Sequence, residues 1–285
     1  MGVGGSNGRK WLLSIGALIA SVASTSAWAQ TGSRLLPLET FEKRLKSFSD
    51  DNDRRETLIR KWLADSGCKG ARLSEQAVGG SLPPNVVCVL PGETQETIVV
   101  GAHTDKVEAG DGVVDNWTGA TLLPALFYSL SLNAAPRHHT FIFIGFSGEE
   151  DGLVGSRFYA DHLRPEQRSH IEAMINFDSL GLGPTEVWEA HADKALVDGL
   201  SSVAVVSKLP LTTMNPENGA SSDSESFARY QIPRITLHSV TPLTWSILHS
   251  SRDRMGAIKI NDYYDSYRLI AAYLDYLDEQ LKPAR

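Results

Sequence analysis

Apolar residues recur along this chain in two alternating rhythms. From Leu36 to about Ser66 they fall three and four apart, at Leu38, Phe41, Leu45 and Phe48, and then at Leu58, Ile59, Trp62 and Leu63. That spacing belongs to helices burying one face, and the polar run from Asp50 to Asp53 divides the region into two. From residue 85 onward, short apolar runs alternate with helical segments. Residues 85–90 (NVVCVL) and 97–102 (TIVVGA) read as strands joined through PGETQE as a hairpin. A helix is expected from about Gly119 to Leu132, a buried strand over residues 139–147, and a helix from about Gly152 to His162. Ile171 to Phe177 is another apolar run and EVWEAH a short strand. Lys194 to Val206 reads as a helix, Ile235 to Val240 as a strand, and Tyr263 to Leu281 as a closing amphipathic helix. The alternation predicts an α/β fold, a central mixed, mostly parallel β-sheet sandwiched by helices, with an antiparallel hairpin at one side.

Composition changes this picture at the N-terminus. Arg9 and Lys10 precede the apolar stretch WLLSIGALIASVA, and Ala27-Trp28-Ala29 supplies small residues at a cleavage position. That layout is a secretory signal peptide over residues 1–29, with an apolar stretch shorter than the roughly 20 residues a spanning helix needs. Residues 30–285 then form a single domain, exported to a periplasm or to the medium and free of the membrane after cleavage. At 42% hydrophobic and 21% charged residues the chain has a globular composition. Its net charge of −7 becomes more negative once Arg9 and Lys10 are removed, so it has no electrostatic reason to seek nucleic acid or anionic lipid. In an oxidising compartment the two cysteines, Cys68 and Cys88, are placed to form a disulfide pinning the first helical region to the sheet; two buried free thiols are the alternative.

Candidate chemistry collects where strands stop. The run FIFIGF gives way to Glu149-Glu150, TIVVGA ends at His103, and the run ending at Phe177 stops at Asp178. Asp115 lies in the Gly-rich loop before a helix, where the N-terminal dipole tolerates an anion. His249 lies in the loop after the last strand. Each residue alone has a duller reading as a cap, a turn or a structural histidine. Placed together on one sheet edge, where α/β folds bind ligands, they make the ligand set of a carboxylate-bridged pair of divalent ions. Two adjacent glutamates leaving a strand point opposite ways, so one can grip a metal while the other handles a proton.

GAHTDKV, DNWTGA, GFSGEEDGLVGS, NFDSLG and LHSSRD, in that order, closely resemble the co-catalytic zinc aminopeptidases of metallopeptidase family 28. The resemblance runs from about Asn85 to the C-terminus. It implies two zinc ions per chain and peptide substrates shortened from the N-terminus. Asp115 would bridge the ions, with His103 and Asp178 completing one and Glu150 and His249 the other. Glu149 would be the general base. Asp105 would orient the imidazole of His103, and Asp253 that of His249. A single-zinc glutaminyl cyclase, which forms N-terminal pyroglutamate on the same fold, is the alternative. One departure stands out. Many relatives carry Ser-Asp-His before a Phe, where this chain reads Ser222-Asp223-Ser224-Glu225-Ser226-Phe227; this bears on the substrate pocket and not on the five ligands. His238, within a strand, competes with His249 for the last ligand position and is the less favoured. Asn116-Trp117-Thr118 spells a glycosylation sequon that is read as coincidence beside a bridging Asp. Trp188 and Trp245 are candidates for pocket walls.

Overall fold

The computed structural model describes residues 35–132, 136–215 and 220–281; the expected signal peptide lies outside them. Two helices come first, α1 (Leu38–Leu45) and α2 (Asn52–Asp65), which turn Phe41, Leu45, Ile59 and Leu63 inward. The polar stretch between them is a turn and a cap. The Asp51 carboxylate accepts the Arg54 N–H at 3.2 Å, satisfying one of the unpaired donors of the first turn of α2.

Among the described residues eight strands follow: β1 (Leu73–Gln76), β2 (Asn85–Leu90), β3 (Thr97–His103), β4 (Thr140–Phe146), β5 (Ile171–Phe177), β6 (Thr185–Val187), β7 (Leu211–Thr213) and β8 (Arg234–His238). They form one sheet in the order β1-β2-β4-β3-β5-β8-β6-β7. The centre, β4-β3-β5-β8, is parallel, so all four of these strands end on the same edge. Antiparallel pairs flank it on both sides, β2 against β4 and β6 against β8. The mixed α/β expectation holds.

The expected hairpin between residues 85–90 and 97–102 does not form. β4 lies between β2 and β3, antiparallel to the first and parallel to the second. β3 is buried at every position and so takes a strand on each side. Its connection to β2 is a crossover, not a tight turn: Glu93 and Thr94 donate their N–H groups to the carbonyls of Arg137 and His138, just before β4. The hairpin partner of β2 is instead β1, a polar, half-exposed strand with no apolar signal. EVWEAH is a strand only through Val187 and then forms a 3₁₀ turn, Glu189–His191.

Helices cover both faces. On one, α3 (Thr118–Ser131) is buried along most of its length between the sheet, α2 and the C-terminal helix α4 (Ile260–Gln280). On the other, Phe146 of β4, Tyr159 of the helix Val154–His162 and Phe227 pack as one aromatic cluster. The two fully buried phenylalanine rings contribute about 1.5–3 kcal/mol each. Cys68 and Cys88 are disulfide-bonded, with Cα atoms 6.2 Å apart. The bridge ties the end of α2 to β2, a closure of 20 residues that contributes about 3 kcal/mol. Among the described residues no helix is long and apolar enough to cross a membrane.

Candidate metal centre

The common edge of the parallel strands carries the candidate ligands. His103 is the last residue of β3, Asp178 follows β5 directly, and Glu149 and Glu150 follow β4. Asp115 lies in the irregular turn Val113–Trp117 that leads into α3, and His249 in the loop after β8. Asp115 points one carboxylate oxygen at each imidazole. Its Oδ1 is 3.2 Å from His103 Nε2 and its Oδ2 is 3.2 Å from His249 Nε2. Asp178 Oδ1 lies 3.7 Å from His103 Nε2, and Glu150 Oε2 lies 3.1 Å from His249 Nε2. Within each of the sets His103–Asp115–Asp178 and Asp115–Glu150–His249, one donor atom per residue lies within 4.8 Å of the others. His103, Glu149 and Glu150 form a third such set. His238 joins none of them; it is buried, and its Nδ1 accepts the Val240 N–H at 3.1 Å.

Neighbouring polar groups hold this arrangement. The carboxylate of Asp105 accepts the N–H groups of Glu149 (3.2 Å) and Glu150 (3.1 Å), fixing the backbone from which both glutamates project. Toward His103, the Asp105 backbone carbonyl is nearer to Nδ1 (3.2 Å) than the carboxylate is (3.7 Å). The resemblance implied that Asp253 orients His249, but among the described residues His249 pairs with Asp115 and Glu150 and not with Asp253. Its oxygens accept the N–H groups of Val114 (2.7 Å) and Asp115 (3.1 Å), because the 250–253 turn folds back onto the Asp115 turn.

Two residues that the sequence reading gave no role in the centre belong to it. Asn116, fully buried, accepts from the N–H groups of Gly119 and Ser179 and donates to the Phe177 carbonyl. It bolts the Asp115 turn to the end of β5, beside Asp178, and in the folded chain it is out of reach of a glycan. A Cβ at Gly119 would stand 2.4 Å from Asn116 Oδ1, so only glycine permits that approach. Ser222, the first residue of the departing stretch, donates to Asp178 Oδ2 at 2.6 Å and accepts from Asn176. Asparagine directly after Asp115 was a visible signal for the first; nothing local marked the second.

The electrostatics are those of acids packed without enough positive charge. Burial raises Glu149 to about 10, with His103 opposing and the nearby Asp178, Asp223 and Asp115 adding to it. Burial likewise raises Glu150, and lifts Asp223 to about 7. Hydrogen bonds to Asp115 and Glu150 raise His249 to about 10. Burial works against a charged His103, but Glu149, Asp105, Asp115 and Asp178 override it and raise its pKa. His103 Nε2 and Glu150 Oε1 are nonetheless buried without a hydrogen-bond partner. Imidazole nitrogens and carboxylate oxygens so aimed fit divalent ions of the zinc type, which accept both donors. Beside the cluster opens a cavity of about 650 Å³, walled by Trp188, Val240, Trp245 and Leu248.

The model of Peptidase family M28 matches residues 85–274. A probable leucine aminopeptidase of Trichophyton verrucosum is 29% identical over 134 residues, 43% of this chain and 36% of that protein; the chain thus matches little more than a third of that relative's length. Among solved structures, the Legionella pneumophila LapA aminopeptidase superposes with a TM-score of 0.74 at 18% identity, covering 98% of this chain and 78% of that one. An Acidobacteriales bacterium glutaminyl cyclase superposes with a TM-score of 0.62 at 19% identity, covering 79% and 85%. These two likenesses speak to the fold alone. With the family match spanning the β2-to-α4 body and every strand end that carries a candidate ligand, the chain belongs to Peptidase family M28.

Proposed function

We propose that this protein is an exported aminopeptidase that holds two zinc ions per chain and removes N-terminal residues from peptides. The observation that carries the reading is Asp115, which offers one carboxylate oxygen to His103 and the other to His249 and so belongs to two of the candidate donor sets. His103 and Asp178 would complete one zinc site, and Glu150 and His249 the other. When bound, the ions would polarise the scissile carbonyl and make a water acidic enough to serve as the nucleophile.

The chain's own residues supply the rest. Glu149 lines the cavity, and its burial among acids gives it a high proton affinity. It takes the proton of the attacking water and delivers it to the departing amine. Asp105 keeps both glutamates aimed by holding their backbone N–H groups. The acidic rim attracts the cationic amino terminus of a peptide, and the first side chain enters the cavity between Trp188 and Trp245. Among the described residues no Lys or Arg lines that cavity, which disfavours an acidic first residue.

The test is metal analysis of the purified protein combined with mass spectrometry of peptides beginning with leucine and with glutamine. About two zinc ions per chain and loss of the first residue are expected. One zinc, with loss of ammonia from the glutaminyl peptide alone, would replace this reading with the cyclase.

A further inference from the structure

α2 reads from its sequence as scaffold, yet its first turn grips the loops that carry the metal ligands. Arg55 is fully buried and occupies the same helical face as Ile59 and Leu63. Its Nε donates to the Thr104 carbonyl at 2.5 Å and its Nη2 to the Gly112 carbonyl at 3.0 Å. Its Nη1 reaches the carbonyls of Ser49 (3.4 Å) and Asp111 (3.5 Å). The guanidinium also lies over the ring of Trp117, 5.0 Å from its centroid. One turn earlier, Asn52 exchanges hydrogen bonds with both backbone groups of Lys106.

The partners are specific in position. Thr104 lies between His103 and Asp105. Gly112 sits in the left-handed conformation (φ 60°) at the start of the turn that carries Asp115. One planar group therefore fixes the spacing between the segment ending in His103 and the segment bearing Asp115. None of its bonds goes to a carboxylate, so a buried cation is held by carbonyl oxygens while Asp105, Asp253, Asp115 and Glu150 lie close by. Burial lowers its pKa to about 10, with those acids opposing, so it stays charged at neutral pH.

We propose that Arg55 is a positioning residue of the metal centre: its forked contacts to Thr104 and Gly112 hold the His103 and Asp115 segments in ligand register before any ion arrives. This rests on the di-metal reading above. A lysine keeps the charge but presents a single ammonium that cannot span two carbonyls in the way the fork does. Charge alone therefore does not suffice.

The experiment compares wild type, Arg55→Lys and Arg55→Gln after zinc loading. It measures zinc release to a chromophoric chelator, the visible absorption of the cobalt(II)-loaded forms, and thermal unfolding of the metal-free forms. Both variants are expected to release zinc about tenfold or more faster than wild type, the scale seen when groups that orient ligands are removed, with an altered cobalt spectrum. Arg55→Lys matching wild type in release and spectrum would overturn the proposal while leaving the aminopeptidase reading intact. Wild type that takes up no metal would overturn both. Should Arg55→Lys fail to fold, amide exchange of metal-free wild type decides the matter. Protection across residues 104–115 is expected, and exchange at the rate of an open loop would overturn the proposal.

Discussion

Two buried clusters of histidine and carboxylate sit at opposite edges of the same sheet, and they differ in how far they satisfy themselves. At the edge where the parallel strands begin, His139 places one ring nitrogen 3.1 Å from Asp278 and the other 2.8 Å from Glu172. Arg137 donates to Asp275 at 2.5 Å and to the Leu130 carbonyl. There the pairing draws proton affinities apart: despite burial, Asp278 is lowered and His139 raised. At the edge where the strands end, acids outnumber cations. Glu149 and Glu150 are raised instead, and Glu150 Oε1 is buried without a hydrogen-bond partner. The residue types are the same. A cluster that closes on an arginine is architecture, whereas one left short of positive charge is a place for an ion.

The contrast can be broken in three places. Glu149→Gln should lower kcat by about 10²–10⁴-fold while zinc content and unfolding midpoint stay as in wild type. Steady-state kinetics with metal analysis checks this, and an undiminished kcat removes Glu149 from the chemistry. At the other edge, Arg137→Met removes the buried cation shared by Asp275 and Asp278 and should cost about 3–5 kcal/mol of stability in urea unfolding, with zinc stoichiometry unchanged. A variant as stable as wild type would mean that the closed cluster is not closed by Arg137. The smallest effect concerns protons. Without ions, hydrogen bonds to Asp115 and Glu150 hold His249 up at about 10, so on the proposed ligand set it carries a proton at neutral pH that zinc must displace. Zinc uptake should release about one proton or more per chain and tighten as pH rises. Calorimetry in buffers of different ionisation enthalpy measures the number, and a value of zero would place that proton elsewhere.

Much of the centre was legible because a buried strand that stops at a carboxylate or an imidazole is a local event. The runs ending at His103, Glu149 and Asp178 declare themselves by abrupt loss of hydrophobicity. Which strands are neighbours is not local, and so β4 was not foreseen between β2 and β3. β1, which is Leu-Ser-Glu-Gln, takes its conformation from pairing with β2 and not from its own composition. The grip of Arg55 was hidden for a related reason. Its partners are backbone carbonyls, which every residue carries, so no side chain elsewhere in the sequence advertises the contact. Asp253 was misplaced because family motifs give spacing along the chain, while the 250–253 turn folds back onto a segment more than a hundred residues away.

The Cys68–Cys88 bridge has a practical corollary for anyone who handles this protein. α2 runs between that bridge at one end and Arg55 at the other, so, on the role proposed for Arg55, cutting the bridge would free the far end of the helix that steadies the Thr104 and Gly112 segments. Dithiothreitol would also compete for the ions through its own sulfurs, and the two injuries would look alike at the bench. A phosphine reductant opens the bridge without offering a thiol, and the difference between the two reagents separates a loosened helix from a stolen metal.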